Sequence, residues 1–226
     1  MKKNRSTMDV RTVATLGVFS AIAYVLMFVS RLLPPIIPAV PFLKYDPKDF
    51  IIVICGFLFG PLPSLAVIVI VSLIEMITVS TTGPIGLLMN ILSSAFYVLP
   101  AAFIYQKKRD LSGAVIGLLT GTVSMTAIML LWNYLITPLY MQIPREAVKA
   151  LLIPAFLPFN AIKGILNSAF ALLLYKPLVM ALKQAHVLPS SDSRKMQGNR
   201  TILAVLLAVV LIVSAVLLIF ALNKGV

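Results

Sequence analysis

"FIIVICGFLFGPLPSLAVIVIVSLIEMITV" fills residues 50–79, and whether it makes one helix or two decides how the whole chain is threaded. As a single α-helix its thirty residues would reach about 45 Å, against a bilayer core of about 30 Å. In its middle stands "FGPLPS" (59–64), where Pro61 and Pro63 break the helical ladder. Charge decides between the readings. With two helices, Lys107, Lys108 and Arg109 fall on the same side as the N-terminal Lys2, Lys3, Arg5 and Arg11. The stretch 183–200, with Lys183, Arg194, Lys195 and Arg200, falls there as well. One helix would divide these cations between the two sides. Cationic connections stay in the cytoplasm, so the sequence predicts two helices and a cytoplasmic N-terminus.

Working outward, apolar runs cover 12–30, 50–59, 62–79, 86–105, 113–136, 158–182 and 201–222. That makes seven spans, the last ending outside at "LNKGV", although 50–59 is short unless its helix begins near Pro47 or tilts. The first run follows a basic segment as a signal peptide would, but it continues to Val29 without a clear cleavage site and reads as a retained helix. The chain has 226 residues, 60% of them hydrophobic, and a mean hydropathy of +1.03. A soluble core of this size cannot hide so much apolar surface, so the fold class is an all-α integral membrane protein. Its net charge of +12 lies between the apolar runs and forms no basic face. Lipid head groups and membrane orientation account for it, and nucleic acid is not indicated as a partner. The single cysteine, Cys55, reads as a packed thiol. Two outer connections, 31–49 and 137–157, are rich in proline and apolar residues and are expected to fold back over the bundle as lids. The organisation expected is a membrane-embedded unit over 1–186, a flexible linker over 187–200, and a separate C-terminal helix within 201–226.

Catalytic chemistry has little to work with. His186 is the only histidine and has no cysteine or carboxylate at metal-ligand spacing, so no metal is expected. No G-x-x-x-x-G-K-[ST] string occurs, so the chain cannot hydrolyse ATP by itself. No serine elbow and no paired intramembrane carboxylates occur either, and Glu75 is the one acid placed clearly inside a span.

What stands out is polar. "LPFNAIKGILNSAF" (157–170) opens an apolar helix yet carries Lys163 within its first two turns. An ammonium there costs several kcal/mol unless it is paired or reached by water. Asn160 and Asn167 share its helical face, Asn133 lies in the preceding span, and Asn90 follows "TTGPIGLLM" in another. Gly83 and Gly86 would let a flat molecule approach the start of that helix, and Tyr45, Trp132, Tyr134 and Tyr140 offer aromatic surface or interfacial anchors. Two readings of Lys163 are open at this point: an ion pair with Glu75 that locks two helices, or a donor to a ligand. Amides that donate and accept, one cation and apolar walls suit a planar heterocycle with imide-type edges better than an anion.

Four strings carry a resemblance over about residues 8–185: "FLKYDPKD" in the first outer loop, "EMITVSTTGPIGLLMN", "WNYLITPLY" and "PFNAIKG". In that order they resemble the riboflavin-specific substrate-binding (S) components of energy-coupling-factor transporters. The resemblance implies a six-helix S-component bundle that captures riboflavin near the outer face of the cell membrane without enzymatic chemistry, riboflavin being ligand rather than cofactor. It implies two kinds of partner, a transmembrane coupling protein and two cytoplasmic ATPase subunits. Asn133, Asn160 and Lys163 would hydrogen-bond the flavin, with Glu75 holding Lys163 in place. Asn90, Gly86 and Tyr140 would line the site, and the first loop, with Leu43, Tyr45 and Asp46, would cover it. The family docks its coupling protein through alanines four apart on the first helix; here Ala14, Gly17 and Ala21 form the small face, with glycine in place of the first alanine of the pair. The seventh helix departs from the family, which ends after six.

Overall fold

A computed structural model describes residues 9–32, 34–36, 43–188 and 198–224. In it the stretch 50–79 is two helices, α2 (Lys48–Phe59) and α3 (Pro61–Thr78), preceded by α1 (Val10–Ser30). Between them Gly60 has φ +94°, a backbone conformation that side chains with a Cβ rarely adopt, and Pro61 supplies the pre-set φ that opens α3. The two run antiparallel. Lys48 Nζ, at the start of α2, lies 2.7 Å from Glu75 Oε2, near the end of α3. At the other end, a Cβ on Gly56 would stand 3.3 Å from Ser64 Oγ.

The remaining helices are α4 (Gly83–Lys107), α5 (Leu111–Met141), α6 (Arg145–Leu151), α7 (Leu157–Gln184) and α8 (Gly198–Lys224), with a π-helical turn over Leu152–Phe156. Local chemistry fixes their ends. Asp110 caps α5 by accepting the Gly113 N–H at 2.7 Å, and Gln142, at φ 54°, ends it in the left-handed region.

Among the described residues, six helical stretches are long and apolar enough to cross a membrane. Helix α2 is not among them: it begins at Lys48, beside Pro47, as a short span was expected to, and its 12 residues give about 18 Å of rise, less than the full bilayer core. Residues Lys48 through Gly56 are all buried, with α1, α3, α4 and α7 packed around them. A helix apolar on every side belongs inside protein, and α2 is the central rod of the bundle.

A second difference lies at 137–157, expected to be a loop. Helix α5 continues through Pro138 to Met141, and α6 with the π turn leads directly into α7. Pro154 and Pro158 each remove an N–H from the ladder, and the π turn widens the helix between them. The other outer connection does fold back: Ile36 and Leu43, together with Leu151, pack against the cluster of Ala155 and Phe159.

Helix α8 lies along α7, burying Ala204, Ala208 and Ala215, while Leu206, Val210, Val213 and Leu217 remain exposed for lipid. Much of the linker expected before it lies outside the described residues. Val187 and Leu188 close the bundle: the Val187 carbonyl accepts from Thr15 Oγ1, and Arg11 donates to the His186 carbonyl.

Candidate functional site

Three helices meet below the polar cluster. A Cβ on Gly121 of α5 would stand 2.2 Å from the Tyr97 carbonyl oxygen of α4, and one on Gly164 of α7 would stand 2.5 Å from Thr122 Cγ2. No side chain fits at either place, so α4, α5 and α7 touch. Hydroxyls of Tyr97, Ser168 and Thr122 join them across the contact, at 3.0 Å and 3.4 Å from the Ser168 oxygen.

Above that floor α7 presents Asn160, Lys163 and Asn167, all buried, on the face the sequence predicts. Lys163 Nζ donates to Ser93 Oγ of α4 at 3.1 Å and lies 3.1 Å from Asp49 Oδ2 of α2. Ser94 donates to the other oxygen of Asp49. Asn160 Nδ2 donates to the Phe156 carbonyl at 2.8 Å. Asn133 Nδ2 donates to the Met129 carbonyl at 2.7 Å, and its Oδ1 accepts from Thr137 at 2.9 Å. Each asparagine amide has capacity beyond these bonds. From the Thr122–Gly164 contact, Asn160 rises four residues up α7 and Asn133 eleven up the antiparallel α5. The two amides therefore differ in level by about 10 Å, and a ligand touching both must be elongated.

The first loop closes on this face. Asn167 Nδ2 donates to the Asp46 carbonyl at 3.3 Å and Oδ1 accepts from Tyr45 Oη at 3.4 Å. Burial pushes the Tyr45 hydroxyl well above its usual pKa, as do Tyr97 and Asp46, so it stays a neutral donor. Burial also pushes the Asp46 carboxyl up, but Lys48 and Lys163 outweigh it and hold the acid ionised, below its usual pKa.

Glu75 does not pair with Lys163. It is fully buried between Arg31, at the end of α1, and Lys48, which also pairs with Asp46. The partner of Lys163 is Asp49, drawn inward because it stands in the first turn of the central helix rather than in the loop. Gly86 is buried and Asn90 half-buried on the α4 face that carries Ser93, with the three at positions i, i+4 and i+7. Gly86 has a packing reason of its own, since a Cβ there would fall 1.9 Å from Thr82 Oγ1. Tyr140, half-buried, follows Asn133 and Thr137 along one face of α5, and Leu43 sits half-buried at the loop's edge. On α1, Ala14, Gly17 and Ala21 are exposed together, and a Cβ on Gly17 meets nothing within 4 Å. Lys48, Asp49, Ser93 and Ser94 were missed as site residues. The "KD" after "DP" was the trace of the first two, and the serines left none, because pairing across a bundle leaves no spacing to read.

The family model described as "ECF transporter, substrate-specific component" matches residues 11–175. The riboflavin transporter FmnP of Bacillus subtilis is 32% identical over 193 residues, which is 80% of this chain and all of that protein. The riboflavin transporter RibU of Staphylococcus aureus is 33% identical over 176 residues, 75% of this chain and 91% of that one. A solved S component of a bacterial ECF transporter superposes with a TM-score of 0.63 at 32% identity, covering 76% of this chain and 98% of its own. A bundle of apolar helices around a closed polar face, matched by that model over most of its length, belongs to the substrate-specific components of ECF transporters.

Proposed function

We propose that this chain captures riboflavin at the outer face of the cell membrane, as the specificity subunit of an ATP-driven uptake system. The observation that carries the reading is the buried face of α7 with Asn160, Lys163 and Asn167, the last of them bonded to the first loop. The names of its relatives supply the ligand. Riboflavin fits the chemistry: its imide edge both donates and accepts, its ring is flat and apolar, and it carries no charge to be neutralised. Asn133, Asn160 and Lys163 would hold the ring and chain at their different levels, with Asn90, Gly86 and Tyr140 along the walls. Leu43, Tyr45 and Asp46 would cover it. A coupling protein would dock on Ala14, Gly17 and Ala21, and cytoplasmic ATPases would supply the energy. The N-terminus would lie in the cytoplasm, the side that cationic connections favour.

The test is a fluorescence titration of the purified protein in detergent. Riboflavin emission should be quenched on binding in one-to-one proportion. A monodisperse protein that leaves riboflavin emission unchanged, or that saturates with a different vitamin instead, overturns the assignment.

A further inference from the structure

Asp49 is a fully buried carboxylate at the first turn of α2, and nothing in the capture of a neutral ligand explains its presence. A charge so placed costs several kcal/mol unless compensated. Its compensation is specific. One oxygen accepts from Ser94 of α4 and the other faces Lys163 Nζ of α7 at 3.1 Å. The same ammonium donates to Ser93, the neighbour of Ser94 on α4. Two adjacent serines thus bracket one ion pair, each fixing one of its members.

We infer that Asp49 is the positioning residue of the ligand lysine: it keeps the Lys163 ammonium aimed at the site, through an orientation that Ser94 fixes. An ammonium has three N–H donors. Ser93 takes one, and the approach to Asp49 Oδ2 is an ion contact rather than an aligned hydrogen bond, so donor directions remain for a ligand oxygen or nitrogen. Without the carboxylate, the flexible lysine stem would turn the ammonium toward water, and the donor would be misdirected. Because Asp49 opens the helix that follows the first loop, the same contact ties the loop's root to the ligand-binding helix.

The inference rests on the flavin reading, and a double-mutant cycle separates the two. Riboflavin is titrated against the unaltered protein, Asp49→Asn, Lys163→Met and the double variant, all full-length in detergent. The flavin reading itself fails if the unaltered protein does not bind. If Asp49 acts through Lys163, Asp49→Asn weakens binding at least tenfold when Lys163 is present and less than twofold in the Lys163→Met background. An equal loss in both backgrounds overturns the inference, as does unchanged affinity with only the melting temperature lowered. Should Asp49→Asn fail to fold, Ser94→Ala carries the test. It should weaken binding about threefold with Lys163 present and leave the Lys163→Met protein unaffected; no change in either background overturns the inference.

Discussion

Lys163 and Glu75 are two charges that the sequence places inside spans, and each has found a partner other than the other. Lys163 lies between Ser93 and Asp49, and Glu75 between Arg31 and Lys48. One-dimensional reading finds that a buried lysine needs a counterion; it cannot find which, because partners come from helices far apart in the chain. The asparagines were more legible, since Asn160, Lys163 and Asn167 share a face by helical period alone. Lys163→Met should weaken riboflavin binding by about 1–3 kcal/mol, roughly tenfold to a hundredfold, through loss of a desolvated bond. It should also lower the melting temperature by stranding Asp49. Quenching titrations and thermal melts of the same preparation read the two effects separately, and unchanged affinity in a folded variant removes Lys163 from the site.

At the scale of elements, the antiparallel hairpin of α2 and α3 was legible, because Pro61, Pro63 and the distribution of lysines and arginines agreed on it. The helical course of 137–157 was not. Prolines that would end a helix in water are tolerated here by neighbouring helices and a π turn, so proline density pointed to loop where the chain is helix. The hairpin carries a latch: Glu75 of α3 holds Lys48, at the root of the first loop, and Arg31, at the loop's beginning. Glu75→Gln should cost about 3–5 kcal/mol of stability, since it leaves Lys48 with Asp46 alone among its carboxylate partners. It should also speed riboflavin release, because the loop's two ends lose their common anchor. Stopped-flow dissociation and melting curves in detergent are the checks. Release at the normal rate would show that Asn167, Tyr45 and the Leu43 contact hold the loop by themselves.

For the whole molecule, composition fixed the membrane class and the four motif strings pointed to the family. The C-terminal helix was legible as a helix but not as a partner of α7. A polar connection said nothing of docking, and three alanines on one side of α8 made close packing available. Because α8 touches α7 from outside, removal of residues after Leu188 should leave riboflavin affinity within about threefold, the scale of a lost fraction of a kcal/mol. A larger loss in a monodisperse sample would give α8 a role in shaping the site. On the opposite account, Gly17→Leu should abolish uptake by cells while the purified protein binds riboflavin as before. The open small face of α1 admits a close helix only while it stays small. Lost binding in the purified variant would place that face against the ligand instead.

The enclosed rod α2 has a consequence for how the protein is made. Insertion machinery offers each emerging segment a choice between lipid and water, and charged residues in a short segment weigh against lipid by about 2.5–3.5 kcal/mol apiece at the membrane centre. A 12-residue segment opening on Lys48 and Asp49 is a poor candidate alone. It must enter as a pair with α3, whose Glu75 neutralises Lys48. Asp49 has to wait for its counterion until Lys163 leaves the ribosome. The nascent chain therefore holds its central helix provisionally, and ribosome-bound chains ending before α7 should show α2 still open to aqueous labelling that the finished protein resists.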